Sequence, residues 1–460
     1  MLSRNASRTL CLLVFESLLT CLCGTAAIYI RFNSEASDVL VRERGWSKIL
    51  LLMLVVQGAF YLFDLYDFRE IRKRDVLYVR TLQAIGLASI ALAVIFYLFP
   101  QMLLGRGIFA ISLLLMLSAM ICWRVFVMWL LGHPRLAERV LILGTEANAV
   151  DIARETLDRP EQGYKIVGFV GDDPALVGQS LINPTVLGLI GNLEEIVSRY
   201  NINRIVVAIS ERRGRMPLGT LVEMKLRDGV AIEESASFYE RLTGKVSTET
   251  LRPSWLIFSG PSRRVRLYRQ MRRLLDIALS LTGLVLSLPV MALAAVAIKI
   301  DSRGPLLYTQ QRVGEGNRTF TIMKFRSMRV DAEPDGPVWA EKDDPRITRV
   351  GRVIRKLRID ELPQFINILR GEMTIIGPRP ERVEFVERLE REIPFYSQRH
   401  LVKPGLTGWA QIRYPYGASV PDAIQKLQYD LYYIKNQSPL LDAMILFETA
   451  RIVLFGRGAR

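Results

Sequence analysis

Leu284-Val285-Leu286-Ser287-Leu288-Pro289-Val290-Met291-Ala292 lies at the centre of an apolar run from Leu274 to Ile300. Six arginines between Arg263 and Arg273 lead into this run, and Lys299, Arg303 and Arg312 follow it. The run exceeds the ~20 apolar residues that carry a helix across a bilayer. Pro289, however, removes an intrahelical hydrogen bond and kinks a helix. Two readings compete: a fifth crossing, or a helix that bends at Pro289 and returns to the face it entered. Ser287 is placed to help satisfy a freed backbone carbonyl, as hydroxyls do in membrane helices. Charge favours the return. From Arg263 onward there are 33 Lys+Arg against 21 Asp+Glu, and a crossing would put that positive region outside, against the positive-inside tendency. The reading adopted is a re-entrant helix over about 274–300, which keeps the soluble regions on either side of it in one compartment.

Working outward toward the N-terminus, four further apolar segments occupy roughly 9–30, 49–67, 81–100 and 107–131. Each approaches a bilayer span, so residues 1–136 are expected to form a four-helix transmembrane region. The first has Arg4 and Arg8 before it but exceeds the ~7–15 apolar residues of a cleavable signal, and reads as an anchor. Arg69, Arg72, Lys73, Arg74 and Arg80 separate the second and third segments, and Arg135 and Arg139 follow the fourth. These place both ends of the bundle in the cytoplasm. Arg31, Arg42, Arg44 and Lys48 in the first loop pull the other way.

Composition agrees with a membrane protein. Half of the 460 residues are hydrophobic and the net charge is +15, with a mean hydropathy of +0.20. Strong basicity suits nucleic acid, anionic lipid or phosphorylated substrates, and the membrane segments favour the last two. Cys11, Cys21, Cys23 and Cys122 all sit in apolar stretches, without zinc spacing, and His133 and His400 are the only histidines. Disulfides, structural zinc and histidine-based catalysis are therefore not expected.

Residues 137–262 read as a Rossmann-like α/β region. Arg139–Leu143, Lys165–Val170 and Arg204–Ile209 are apolar strand candidates alternating with helical stretches, the pattern of a parallel doubly wound sheet. The dinucleotide fingerprint is degenerate: Thr145, Glu146, Ala147, Asn148 and Ala149 follow Gly144, so the second and third glycines are missing. A tight strand-to-helix turn explains Gly144 alone, and a fold remnant or regulatory module is preferred over a working nucleotide site. Glu333-Pro334-Asp335-Gly336-Pro337 is a loop. Residues 440–455 suit an amphipathic helix, either at the membrane interface or against the protein core.

The chemistry concentrates in Arg358-Ile359-Asp360-Glu361-Leu362-Pro363-Gln364. Leu362, Phe365, Ile366 and Leu369 recur at helical spacing and Pro363 is tolerated only in a first turn, so Asp360 is expected near a helix N-cap. Plain capping is the simpler reading of those residues alone. Their surroundings argue for more. Lys324 and Arg326 lie upstream, Arg346, Arg349, Arg352, Arg355 and Arg358 recur every three residues, and Arg379 sits between two prolines after Gly377. Guanidinium forks match phosphate oxygens, so Lys324, Arg326, Arg358 and Arg379 are the candidate phosphate-binding residues, while others serve a solvated or headgroup-binding face. A carboxylate pair with few histidines suits Mg²⁺, which takes one or two carboxylates plus substrate phosphate and water.

From about Arg272 to Leu454 the chain resembles the bacterial sugar transferase family, the monotopic polyprenyl-phosphate phosphoglycosyl transferases. The matching pieces begin with Arg273…Asp276, Leu286-Ser287-Leu288-Pro289, Tyr308-Thr309-Gln310-Gln311-Arg312-Val313-Gly314 and Lys324-Phe325-Arg326-Ser327-Met328. Asp360-Glu361-Leu362-Pro363-Gln364, Gly377-Pro378-Arg379-Pro380 and Lys403-Pro404-Gly405-Leu406-Thr407-Gly408-Trp409-Ala410-Gln411 follow in order. With four upstream helices and the α/β region, the whole chain is similar to the large exopolysaccharide-initiating subclass, which includes undecaprenyl-phosphate glucose phosphotransferases. The resemblance implies a mostly helical α/β catalytic domain over 263–460. It implies that Asp360 attacks the phosphorus next to the sugar of a UDP-sugar, releasing UMP, and that undecaprenyl phosphate then takes the phospho-sugar. Glu361 would hold Mg²⁺ and Arg379 would contact phosphate. Some relatives carry Ser-Pro at the membrane kink, where this chain has Leu288-Pro289 with Ser287 one place earlier. The expected location is the bacterial inner (cytoplasmic) membrane, multi-pass, amid inner-membrane lipid, with the catalytic domain facing the cytoplasm. Nucleic acid is not an expected partner, and a homo-oligomer is compatible with the sequence.

Two other classes are weighed. A membrane nucleotide-sugar dehydratase or epimerase needs an intact glycine fingerprint and usually a YxxxK pair, and none of the sixteen tyrosines has lysine four positions later. A non-enzymatic scaffold leaves the acidic pair among arginines unexplained. The identity of the sugar, whether glucose, galactose or an N-acetylated hexosamine, is not written in any motif.

Overall fold

The computed structural model describes residues 4–42, 44–63, 65–66, 74–103, 105–131, 137–209, 216–248, 264–330, 332, 344–414, 417 and 419–455. Arg69, Arg72, Lys73, Arg135, Arg263 and the loop 333–337 lie outside them. Helices α1 (Arg4–Phe32), α2 (Gly45–Leu62), α3 (Arg74–Leu98) and α4 (Arg106–Leu131) occupy the four N-terminal apolar segments. They bury Ile28, Leu52, Phe60, Leu92, Met116 and Met120 among themselves, while Leu18, Leu54, Ile90 and Leu114 stay exposed, as side chains facing hydrocarbon do. Inside the bundle Arg124 pairs with Glu16 at 2.8 Å, with its guanidinium over the Phe60 and Tyr66 rings. Among the described residues, five helices are long and apolar enough to cross a membrane, these four and Tyr268–Asp301.

The α/β region is a parallel five-stranded sheet of order β3-β2-β1-β4-β5. Its strands are β1 (Glu138–Leu143), β2 (Tyr164–Gly171), β3 (Val186–Leu189), β4 (Arg204–Val207) and β5 (Ala231–Glu234). The sequence reading located β1, β2 and β4. It missed β3, which is only four residues long, and β5, which ends in two glutamates. Gly144 joins β1 to helix α5 (Ala147–Leu157) at φ +129°, and a Cβ there would lie 2.9 Å from the Ala208 carbonyl oxygen. Only glycine fits such a turn, which accounts for Gly144 without a ligand.

The chain divides into two compact units, Met1–Phe238 and Tyr239–Arg460. Part of the stretch that the sequence placed with the α/β region is therefore fastened to the second unit. There Glu240 pairs with Lys435 at 2.8 Å, Gly244 accepts from Trp409 Nε1 at 2.9 Å, and Val246 donates to the Gln428 carbonyl at 3.0 Å.

The second unit is built around α6 (Arg264–Asp301), assigned as one helix through Pro289. Beyond it come an antiparallel hairpin, β6 (Leu307–Val313) with β7 (Thr319–Phe325), and helices α7 (Arg349–Lys356) and α8 (Gln364–Arg370). A short parallel pair, β8 (Thr374–Ile376) with β9 (Gly405–Thr407), precedes helices α9 (Val420–Lys435) and α10 (Pro439–Phe455). In α10, Leu441 and Ile445 enter the core while Leu440 and Phe447 remain exposed.

Both ends of α6 are fastened to this unit. Near its start Arg273 donates to the Ile368 and Leu369 carbonyls at 2.6 and 2.7 Å, where a cation also suits the C-terminus of α8. Buried Asp276 accepts from Thr374 Oγ1 at 2.8 Å and the Ile375 N–H at 2.9 Å. Midway, Phe365 packs on Gly283, where a Cβ would stand 2.8 Å from the ring. At its end Asp301 accepts from the Val350 N–H at 3.0 Å, capping α7, and Ile298 packs with Phe325 and Ile354. Between these anchors Leu281, Leu286 and Leu293 are exposed.

The role expected of Ser287 needs correction. Pro289 orphans the carbonyl of Val285, four residues back, but Ser287 Oγ donates to Leu284 at 3.2 Å. A helical serine reaches carbonyls three or four positions behind it, so Val285 is out of its range.

Candidate active site

Asp360 and Glu361 are held in a single 3₁₀ turn, Ile359–Glu361, between α7 and α8. Arg358 stands immediately before it at φ +57°. That left-handed conformation, unfavourable for a residue with a Cβ, ends α7 and swings the chain into the turn. Pro363 is the N-cap of α8, so Asp360 lies a full turn ahead of the cap and does no capping. The floor beneath is fixed by fully buried Asn367. Its Nδ2 donates to Thr321 at 2.8 Å and to Glu372 at 2.6 Å, and its Oδ1 accepts from the Met323 N–H at 3.1 Å. This ties α8 to β7 and sets Lys324 opposite the dyad.

The two carboxylates have different surroundings. Glu361 Oε1 accepts from Arg379 Nη2 at 2.6 Å and Lys324 Nζ at 3.3 Å, with Arg358 Nη1 at 3.8 Å. Asp360 makes no hydrogen bond among the described residues, and its Oδ1 is buried. Burial, followed by the neighbouring Glu361 charge, pushes the Asp360 carboxyl up to about 6, against the pull of Lys324, Arg355 and Arg358. Burial also opposes ionisation of Glu361, but Arg379, Lys324 and Arg358 overcome it and hold that carboxyl well below the usual range. Lys324 is pushed down by burial, with Glu361 opposing.

Arg379 reaches the dyad because two glycine motifs interlock. A Cβ at Gly405 would lie 2.0 Å from the Gly377 nitrogen, and one at Gly408 would lie 2.1 Å from the Gly377 carbonyl oxygen. With bare backbones in contact, β8 pairs with β9 and Gln411 comes beside Arg379, whose Nη1 donates to Gln411 Oε1 at 3.1 Å. From behind, fully buried Arg399 donates to the Arg379 carbonyl at 3.0 Å, to Tyr396 Oη at 2.6 Å and to Asp430 at 2.8 Å. Burial pushes Asp430 up to about 6, with Arg399 opposing.

Three of the four candidate phosphate-binding residues thus converge: Lys324, Arg358 and Arg379. Arg326 does not. Its terminal nitrogens donate to the Ser302 and Arg303 carbonyls at 2.8 and 2.9 Å, so it fastens the end of α6. The arginines that recur every three residues also divide. Arg355 and Arg358 face the dyad, Arg346 is taken by Asp344 at 2.5 Å, and Arg349 and Arg352 are exposed. Only Arg349, Arg352 and Arg355 lie on α7, where each three-residue step loses about 60°, while Arg346 precedes that helix and Arg358 follows it. Sequence reasoning missed Asn367 and the Arg399–Asp430 pair, which lie in no quoted motif. Gln411 ended a motif that was read without assigning it a role.

Among the described residues no group of three or more His, Cys, Asp or Glu could hold a metal. The dyad still fits Mg²⁺, since Asp360 Oδ1 is an orphaned buried carboxylate oxygen and all the cationic contacts of Glu361 fall on Oε1. Two carboxylates completed by phosphate and water suffice for that ion.

Comparison with known proteins follows the same division of the chain. Residues 267–456 match the family model for a bacterial sugar transferase, and residues 61–228 match one for a CoA-binding domain. The donor set at Gly144 does not fit the diphosphate of CoA. The acidic Glu146 is the N-cap of α5, the end of the helix where this fold seats a diphosphate. A UDP-N-acetylgalactosamine-undecaprenyl-phosphate N-acetylgalactosaminephosphotransferase of Aeromonas hydrophila is 49% identical over 221 residues, covering 48% of this chain and 52% of that one. This chain thus spans about half the length of that relative. An undecaprenyl-phosphate glucose phosphotransferase of Komagataeibacter xylinus is 31% identical over 459 residues, covering 89% of this chain and 78% of the relative. A UDP-glucose:undecaprenyl-phosphate glucose-1-phosphate transferase of Escherichia coli (strain K12) is 32% identical over 349 residues, covering 71% and 70%.

Proposed function

This chain belongs to the bacterial sugar transferase family, and from that membership we propose that it transfers hexose 1-phosphate from a UDP-sugar to undecaprenyl phosphate, releasing UMP and starting an exopolysaccharide. The observation that carries the reading is the asymmetry of the dyad. Glu361 is held ionised by three cations, whereas Asp360, buried beside it, keeps an oxygen without a partner. A buried carboxylate oxygen left unsatisfied costs stability and calls for a functional reason.

The reaction has two displacements at one phosphorus. An Asp360 oxygen attacks the phosphorus that bears the sugar, and the bond from that phosphorus to the bridging oxygen breaks. UMP departs with the bridging oxygen and its electron pair, leaving hexose phosphate on the aspartate. An oxygen of undecaprenyl phosphate then attacks the same phosphorus, the acyl phosphate bond breaks, and the Asp360 carboxylate is regenerated. Lys324, Arg358 and Arg379 offset the charge gathered on the phosphate oxygens. Mg²⁺, held by Glu361 beside Asp360, would screen the diphosphate from the incoming carboxylate.

The re-entrant reading of α6 is supported by its anchors. Arg273 and Asp276 near one end, and Asp301 near the other, bind the same compact unit. A spanning helix would carry those residues to opposite sides of the bilayer. With the basic flanks, this supports a catalytic unit on the cytoplasmic face of the inner membrane, where UDP-sugars and the lipid phosphate meet.

Purified protein in lipid nanodiscs should release UMP from a UDP-sugar when undecaprenyl phosphate is present, and Asp360→Asn should abolish release. Turnover by Asp360→Asn at the wild-type rate would rule out Asp360 as nucleophile.

A further inference from the structure

Gln411 closes the motif Gly405-Leu406-Thr407-Gly408-Trp409-Ala410-Gln411 and has no part in the proposed chemistry, yet it touches the guanidinium that serves the dyad. Its Oε1 accepts from Arg379 Nη1 at 3.1 Å. That bond fixes the orientation of the amide, since only the oxygen can accept and the nitrogen is then turned away as a donor. The nitrogen, Nε2, is buried and donates to no acceptor among the described residues. Through Arg379, whose other arm reaches Glu361 at 2.6 Å, this orphaned donor is joined to a dyad that holds an orphaned acceptor, Asp360 Oδ1. Both atoms are left unsatisfied by the folded chain itself. A phosphate oxygen is an acceptor of the right chemistry for that donor, and the Arg379 guanidinium that Gln411 touches is suited to gather such oxygens.

We propose that Gln411 is a substrate-contacting residue of the transfer reaction. Its Oε1 aims Arg379, and its Nε2 donates to a phosphate oxygen of the UDP-sugar. The assignment rests on the proposed transfer reaction. An amide suits both tasks because it presents one acceptor and one donor group on a rigid plane. Glutamate keeps the shape and the acceptor but loses the donor, and methionine loses both while staying neutral.

The test is steady-state kinetics on the full chain in nanodiscs, with UDP-sugar and undecaprenyl phosphate varied separately for Gln411→Glu, Gln411→Met and Asp360→Asn. Melting temperatures taken alongside confirm that each variant is folded, and Gln411→Leu, likewise neutral and without a donor, takes the place of Gln411→Met if that variant is not. The expected result is a KM for UDP-sugar raised about tenfold or more in every folded Gln411 variant, the scale of one lost bond to a charged acceptor. The KM for undecaprenyl phosphate should stay near wild type, and kcat should fall further in Gln411→Met, where Arg379 also loses its guide. An unchanged KM for UDP-sugar overturns the proposal. So does a rise confined to Gln411→Glu with Gln411→Met folded, because charge repulsion alone accounts for that. Loss of activity in Asp360→Asn beside an unchanged KM in the Gln411 variants removes the Gln411 assignment alone, whereas wild-type activity in Asp360→Asn removes the transfer reading beneath it.

Discussion

Arg379 donates from Nη2 to Glu361 Oε1 at 2.6 Å, and this pairing gives two adjacent carboxylates different surroundings. With Lys324 and Arg358 on the same oxygen, Glu361 remains an anion. Asp360, one residue earlier, is buried beside that charge without a hydrogen-bond donor and is pushed up to about 6. A nucleophile benefits from being poorly solvated and unpaired, and a carboxylate that holds cations in place benefits from the reverse.

Arg379→Lys keeps the charge but loses the fork that spans Glu361 and Gln411. The rate of UMP release is expected to fall roughly 10- to 100-fold, the scale of a lost charge-assisted bond. Initial rates at saturating undecaprenyl phosphate measure it. A lysine variant at wild-type rate would mean that charge alone is required.

The pH dependence follows from Asp360. Attack requires the carboxylate, and its raised value of about 6 means that acidification through that pH protonates the nucleophile. The logarithm of kcat/KM should be level above this point and drop about tenfold per pH unit below it. A rate that stays level down to roughly pH 4.5 would show that Asp360 ionises in its ordinary range or is not the attacking group.

Chelation of divalent cations is expected to stop UMP release, and Mg²⁺ added back to restore it. Full turnover after exhaustive chelation would free Glu361 from the metal role.

Gly408→Ala tests the interlock that delivers Arg379. Its Cβ would stand 2.1 Å from the Gly377 carbonyl oxygen, and overpacking of this kind costs about 1–3 kcal/mol. Both the melting temperature and the rate should fall. Gly191→Ala, where a Cβ meets nothing within 4 Å, is the control and should change neither.

The sequence made the acidic dyad, its cationic neighbours and the membrane segments legible because each is local. Asp360 and Glu361 are neighbours, and an apolar run announces itself by length. What stayed hidden depends on distant contacts. Arg326 looked like Lys324, two positions earlier in the chain, but it lies just past the end of β7 and its terminal nitrogens are occupied by the end of α6. The arginine repeat has a regular three-residue spacing, but only Arg349, Arg352 and Arg355 share a helix, and the five divide among Asp344, solvent and the dyad. Asn367 and Arg399 act through backbone groups far away in sequence, and nothing in their own neighbourhoods signals that. Ser287 was assigned by proximity to Pro289, although helix geometry sends its hydroxyl to Leu284.

Mass spectrometry of the protein incubated with UDP-sugar in the absence of undecaprenyl phosphate addresses the covalent step itself. The account predicts a hexose-phosphate adduct on the peptide containing Asp360, formed with one equivalent of UMP and discharged when undecaprenyl phosphate is added. An unmodified Asp360 peptide in protein that turns over fully once the lipid is supplied would contradict it.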